Sequence, residues 1–126
     1  MRRPHPTLTP QELAIMKVVW RLESATVRDV YEAMRAERPI AYTTVMTMMR
    51  ILEDKGHLRK TASTDRAYVY APAQPRQQVL GAMLRDFVDR VFDGAPDSLL
   101  LHLAKDNKLT GRQRRIVKRL LDEMEE

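Results

Sequence analysis

No cysteine occurs among the 126 residues, which removes disulfides, thiolate metal sites and thiol nucleophiles together and suits a reducing compartment. Long apolar runs are missing as well. Nothing approaches the roughly 18 residues that a membrane-spanning helix needs, and the opening Met1-Arg2-Arg3-Pro4-His5-Pro6 lacks the apolar stretch of a secretion signal. A cytoplasmic protein with no membrane contact is therefore expected. His5, His57 and His102 lie far apart with no acidic or thiol cluster beside them, so packing or surface roles are expected and no metal is assigned. There is no nucleophile with a plausible base, no glycine-rich phosphate loop and no carboxylate pair in apolar surroundings. The expectation is a protein that is not an enzyme and carries no cofactor.

What is abundant is positive charge, with 22 Lys and Arg against 17 Asp and Glu, a formal +5. The excess is uneven: residues 1–72 carry a net +4 and residues 73–126 only +1. A polyanionic partner is expected, facing the first part of the chain. The length allows one core plus an appendage rather than two large domains.

Local signals divide the chain. Thr9-Pro10-Gln11-Glu12 reads as an N-cap, a proline at the first helical position and a capping box. The helix that follows, to about Leu22, carries an apolar stripe broad enough to be packed on two sides. Thr26 caps a second helix with Asp29 in its first turn, running to about Glu37, before Arg38-Pro39 ends it. A third spans about Ala41 to Lys55, closed by Gly56 as a left-handed cap. Two extended runs, His57 to Ser63 and Ala67 to Ala71, flank a turn and form a hairpin. Beyond Pro72 and Pro75 the pattern is purely helical: Arg76 to Phe92, a short helix from Pro96, and a last helix opened by the capping box Thr110-Gly111-Arg112-Gln113. The expected domains are 1–72 and 73–126.

Three helices and a hairpin in this order predict a winged helix-turn-helix, whose third helix enters the major groove of DNA while the hairpin touches the backbone. The fold class is mainly α with a small β-hairpin wing, followed by a helical dimerisation domain. In the third helix Tyr42, Val45, Met49 and Leu52, with Met48, form the buried side, and Trp20 anchors the first helix in the core. Thr43, Thr47 and Arg50 turn outward with Thr44 at the leading edge. Threonine hydroxyls can donate to phosphates or bases and their methyls can touch thymine; Arg50 suits phosphate. Threonine is a middling helix former, so several on one outward face indicate a task other than helix stability. Arg59, Lys60 and Arg66 in the hairpin suit phosphates. The DNA-binding set is Tyr42, Thr43, Thr44, Thr47, Arg50, Arg59, Lys60 and Arg66.

The C-terminal helices are too apolar for a thin three-helix bundle, which implies a second copy of the chain. The dimerisation set is Leu80, Met83, Leu84, Phe87, Val91, Leu100, Leu103, Ile116, Val117, Leu120 and Leu121.

Three stretches together resemble the penicillinase, methicillin-resistance and copper-responsive repressors, the BlaI/MecI/CopY family. They are Leu13-Ala14-Ile15-Met16-Lys17-Val18-Val19-Trp20, then Tyr42 through Gly56, then Arg66-Ala67-Tyr68-Val69-Tyr70-Ala71-Pro72, within a likeness running from Leu8 to about Asp122. The resemblance implies a homodimer with its third helices in successive major grooves of a palindromic double-stranded DNA operator, and a recognition role for Thr43, Thr44 and Thr47. It also implies release through a sensor protease or another inducer. The paired cysteine motifs of the copper-responsive members are absent, which excludes copper sensing through thiolates. Where β-lactam-responsive members are cut at an Asn-Phe bond, this chain has His102-Leu103.

Two other readings remain open. A winged helix can serve as a protein-assembly module whose threonines are only surface. An RNA-binding face would need stacking aromatics, whereas Trp20, Tyr31, Tyr42, Tyr68, Tyr70, Phe87 and Phe92 are all expected in packing, although Tyr68 and Tyr70 can face either way.

Overall fold

A computed structural model describes residues 8–64 and 67–124. The described chain runs α1 (Pro10–Leu22), α2 (Val27–Arg35), α3 (Tyr42–Asp54), β1 (Leu58–Thr64), β2 (Ala67–Pro72), α4 (Arg76–Val91), α5 (Pro96–Ala104) and α6 (Gly111–Met124). It falls into two compact units that divide inside α4, after Met83.

The helix starts follow their local chemistry. At α1 the Thr9 hydroxyl accepts from the Glu12 N–H at 3.1 Å, while the Thr9 N–H donates to the Glu12 carboxylate at 2.9 Å. The same reciprocal box joins Thr26 to Asp29 and Thr110 to Gln113. Each satisfies two amides that an uncapped helix leaves open. At the end of α3, Gly56 takes φ 87°, its N–H donates to the Glu53 carbonyl, and the His57 N–H reaches back to Leu52 at 2.9 Å. This paired arrangement needs a left-handed residue, which glycine adopts without Cβ strain.

In the first unit α1 touches α2, α3 and β2, which accounts for its broad apolar stripe. Ile15, Met16 and Val19 from α1, Val30 and Met34 from α2, and Val45, Met49 and Leu52 from α3 are almost completely buried. Each such side chain contributes about 1.5–3 kcal/mol. Leu58 and Tyr70 carry the core into the hairpin, and Val79 carries it into the first turns of α4. Trp20 is half-buried against this core, and His57 is buried, a packing role as expected.

β1 and β2 pair antiparallel, with a bulge between Lys60 and Ala62. An isolated β-bridge, not foreseen, comes from the link between α1 and α2: Ala25 and Tyr70 exchange two backbone bonds of 2.9 and 2.8 Å. The link therefore ties the hairpin to the helices.

The second unit comprises the end of α4 with α5 and α6, which pack on each other. An Arg114 guanidinium N–H donates to the Asp106 carbonyl at 3.0 Å, and Phe92 makes edge-on contacts with Phe87 and His102. Only Val88 and Val117 are buried apolar residues among the described residues of this unit.

Candidate nucleic-acid interface

Burying Val45, Met49 and Leu52 fixes the rotation of α3, and the opposite side must face outward. Thr43, Thr44, Thr47 and Arg50 are all exposed there. The start of α3 also differs from the three box-capped helices: its N-cap is Ala41 and no side chain caps it, and unlike α1 and α2 its first turn holds no acid. The positive end of the helix dipole is left without a carboxylate, the electrostatic setting in which a phosphate binds at a helix start.

One flank of α3 forms a wall of a cleft of about 560 Å³. Tyr42, Met46 and Arg50 line it from α3, Thr26 to Asp29 from α2, and Lys60, Ala67, Tyr68 and Tyr70 from the hairpin. Three cations thus meet there. The acid among them, Asp29, accepts the Thr26 N–H at 3.0 Å and is engaged in its capping box. Arg28 lies over the Tyr42 ring at 5.5 Å, and Tyr42 meets Tyr31 edge-on at 5.4 Å. Lys60 Nζ lies 4.2 Å above the Tyr68 ring and 3.7 Å from the Glu53 carboxylate. These contacts orient long side chains that would otherwise sweep through solvent.

Two packing expectations need correction. Tyr68 is 56% exposed while Tyr70 is only 7% exposed. Alternation puts both on one face of β2, but Tyr70 joins the hydrophobic core, whereas Tyr68, nearer the hairpin turn, lies outside it with Lys60 over its ring. Tyr42 is likewise exposed, at the rim of the α3 underside rather than within it. Met46 is exposed on the cleft flank, one helical turn from Tyr42.

The structure does not gather all the basic residues of the hairpin. Arg59 and Lys60 are neighbours on β1 and point to opposite faces. Lys60 joins the α3 cleft, whereas Arg59 lines a separate hollow with Trp20, Glu23, Pro72 and Arg76. Arg66 lies outside the described residues. Arg28 was not anticipated, because only the packing of α2 against α3 brings it over Tyr42.

An ion pair ties the base of α3 to the start of α1. Lys55 Nζ contacts both Glu12 oxygens, at 3.0 and 2.9 Å. Burial pushes the Glu12 carboxyl upward, but the Lys55 bond, the Thr9 N–H and the Lys55 charge together hold it below its ordinary value. The Tyr70 hydroxyl is pushed up chiefly by burial, with Lys60 opposing and Glu53 adding to the shift.

The profile of the penicillinase repressor family matches residues 8–123. The chain belongs to that family. It is 38% identical over 96 residues to the transcriptional regulator BlaI of Mycobacterium tuberculosis, in strains H37Rv and CDC 1551 alike, covering 75% of this chain and 69% of the relative. It is 25% identical over 118 residues to the penicillinase repressor of Bacillus licheniformis, covering 94% of this chain and 91% of that one. Family membership identifies the helices and hairpin as a winged helix and places the chain among transcriptional regulators rather than enzymes. No helix among the described residues is long and apolar enough to cross a membrane.

The residues of the expected dimerisation set divide by exposure. Leu84, Phe87, Val91, Ile116 and Leu120 are exposed in the single chain. Leu80, Leu100, Leu103 and Leu121 are half-buried. Met83 packs against the core of the first unit, and Val117 is buried. The last two stabilise their own chain and leave little area for a partner.

Proposed function

We propose that this chain is a cytoplasmic transcriptional repressor that binds a palindromic operator as a homodimer, with residues 1–72 as the DNA-binding head and 73–126 as the dimerisation module. The observation that carries the reading is the outward face of α3: exposed threonines on a helix whose underside is sealed in the core, beside a cleft lined by Arg28, Arg50 and Lys60. Thr43, Thr44 and Thr47 read base edges. Arg50, Lys60, Arg59 and Arg66 hold phosphates, and Tyr42 borders the groove. The family and the two relatives, one named a transcriptional regulator and one a penicillinase repressor, support regulation by repression.

A two-fold dimer calls for an inverted repeat with half-sites about one helical turn, roughly 10 base pairs, or a small multiple apart. The unpaired apolar positions Leu84, Phe87, Val91, Ile116 and Leu120 support dimerisation through the C-terminal unit. Separating the dimer ends repression, because each head alone makes few base contacts. A sensor protease or another inducer supplies the trigger, and the exposed Pro96 and Asn107 mark accessible chain between Gly94 and Thr110. The experiment is a titration of the full chain against its own promoter fragment, with footprinting. The expected result is protection of an inverted repeat at a concentration at which shuffled DNA is free. Equal binding to shuffled DNA, or protection of one asymmetric half-site by a monomer, would overturn the proposal.

A further inference from the structure

We infer that Tyr68 is a positioning residue of the α3 interface, whose ring holds the Lys60 ammonium ready for a DNA phosphate. The inference rests on the reading of α3 and the hairpin as the DNA-binding face. Lys60 pairs with Tyr70 across the hairpin, and Tyr68 is its diagonal neighbour on the same face. Immediately after Lys60 the strand bulges: the register slips between Lys60 and Ala62, and the Thr61 hydroxyl donates to the Val69 carbonyl at 3.1 Å. A bulge bends its strand and re-aims the side chains beside it. Lys60 Nζ lies 4.2 Å from the centre of the Tyr68 ring. Tyr68 itself adds little to the core, being 56% exposed and outside the cluster that Tyr70 joins.

An exposed lysine ranges over many rotamers and gives up that freedom when it binds a phosphate. Held over the ring, Lys60 has given up much of it before DNA arrives. The contact survives docking, because the ring attracts the ammonium through its π face and leaves N–H groups free for phosphate oxygens. The attraction is then present in free and bound protein alike and cancels from the binding energy. What remains is a smaller loss of side-chain freedom on binding. Glu53, 3.7 Å from the same ammonium, cannot play this part, since a carboxylate competes with the phosphate for the charge. The gain falls on every duplex alike, because a phosphate contact carries no sequence information. Tyr68 thus raises affinity and leaves discrimination to the threonines.

Prepaying the order of one such side chain corresponds to about two- to tenfold in Kd. The test is fluorescence anisotropy of the full-length protein over a series of salt concentrations. One duplex carries the chain's own promoter region and the other is a shuffled duplex of the same length and composition. Tyr68→Leu keeps apolar bulk and removes the π face. It should weaken binding to both duplexes by about two- to tenfold, with their ratio and the salt slope unchanged, because Lys60 still reaches its phosphate. Tyr68→Phe keeps the ring and should bind as wild type does. Lys60→Met should flatten the salt dependence by about one counterion, and adding Tyr68→Leu to it should cost nothing further. Thermal unfolding of each variant checks that the heads are equally folded.

A loss in Tyr68→Phe equal to that in Tyr68→Leu would assign the effect to the hydroxyl, and an undiminished loss without Lys60 would mean that Tyr68 meets DNA directly. Either result, or wild-type affinity in Tyr68→Leu, would overturn the inference while the DNA-binding reading stands. Wild-type protein that binds neither duplex would overturn both.

Discussion

Up to Met83 the chain closes around a cluster of thirteen buried apolar residues drawn from helices and hairpin alike. From Leu84 onward it buries Val88 and Val117 and leaves Leu84 and Val91 each 54% exposed, with Phe87, Leu101, Ile116, Leu120 and Met124 also open. Apolar composition alone does not separate the two regions. What separates them is how many elements converge: α1 meets three others, whereas in the second unit α5 and α6 pack chiefly on each other. A pair of short helices cannot surround a side chain, so much of the second unit's apolar surface is left for another molecule, as the proposed dimer requires.

The strongest way to break this contrast is to spoil the open surface while sparing the closed one. Leu84→Asp combined with Phe87→Asp should yield a monomer and lower operator affinity by about 100- to 10,000-fold, the avidity that linking two heads supplies. Sedimentation and a promoter titration measure the two effects, and a dimer persisting at micromolar concentration would place the interface elsewhere. Next in size is a comparison of truncations. Met49→Ala removes a fully buried side chain and should cost about 2–5 kcal/mol in urea unfolding. Leu120→Ala, open in the single chain, should change unfolding by less than about 0.5 kcal/mol once the protein is diluted to monomer. Its cost should appear instead as weaker dimerisation at higher concentration. A large cost at all concentrations would show that Leu120 belongs to a closed core after all.

Within the first unit the outward face of α3 should separate two kinds of contact. Thr44→Ala and Thr47→Ala should lose about 1–3 kcal/mol of discrimination between operator and mutated sites, while Arg50→Ala and Lys60→Ala should weaken all DNA more evenly. Matched losses on specific and random DNA for the threonine variants would refute the groove orientation. The smallest effect expected is a pH dependence. The folded state holds the Glu12 carboxyl below its ordinary value, so ionised Glu12 stabilises the fold above the carboxylate range and that contribution fades as pH falls below about 4. Wild type should therefore exceed Glu12→Gln in urea midpoint at pH 7, with the gap shrinking in acid. A constant gap would mean that the Lys55 contact contributes no pH-dependent stability.

Much of this was legible from local signals. The boxes at Thr9, Thr26 and Thr110 and the cap at Gly56 are written in residues at most three positions apart, and each formed where its spacing placed it. The rotation of α3 followed from its apolar period, which left Thr43, Thr44, Thr47 and Arg50 outside. Edges were less legible. Tyr42, Met46 and Tyr68 are apolar enough to read as packing, and whether they are covered depends on where neighbouring elements stop. The partners of Arg28 and Lys60 in the cleft were invisible for the same reason: Arg28 stands over a residue fourteen positions along the chain, and no local pattern encodes that approach.

The sequence by itself determined the order of elements, their caps, the apolar underside of α3 and the basic bias of the first seventy or so residues, because each depends on near neighbours or on composition. The tertiary structure decided which flank of α3 faces the hairpin, that Arg59 and Lys60 part company, that Ala25 bridges to Tyr70 and that Glu12 meets Lys55 across forty-three positions. It also decided which apolar residues of the C-terminal helices a single chain can cover. Those outcomes depend on distances between elements, and such distances are set by the collective packing of a core that no short stretch of sequence contains.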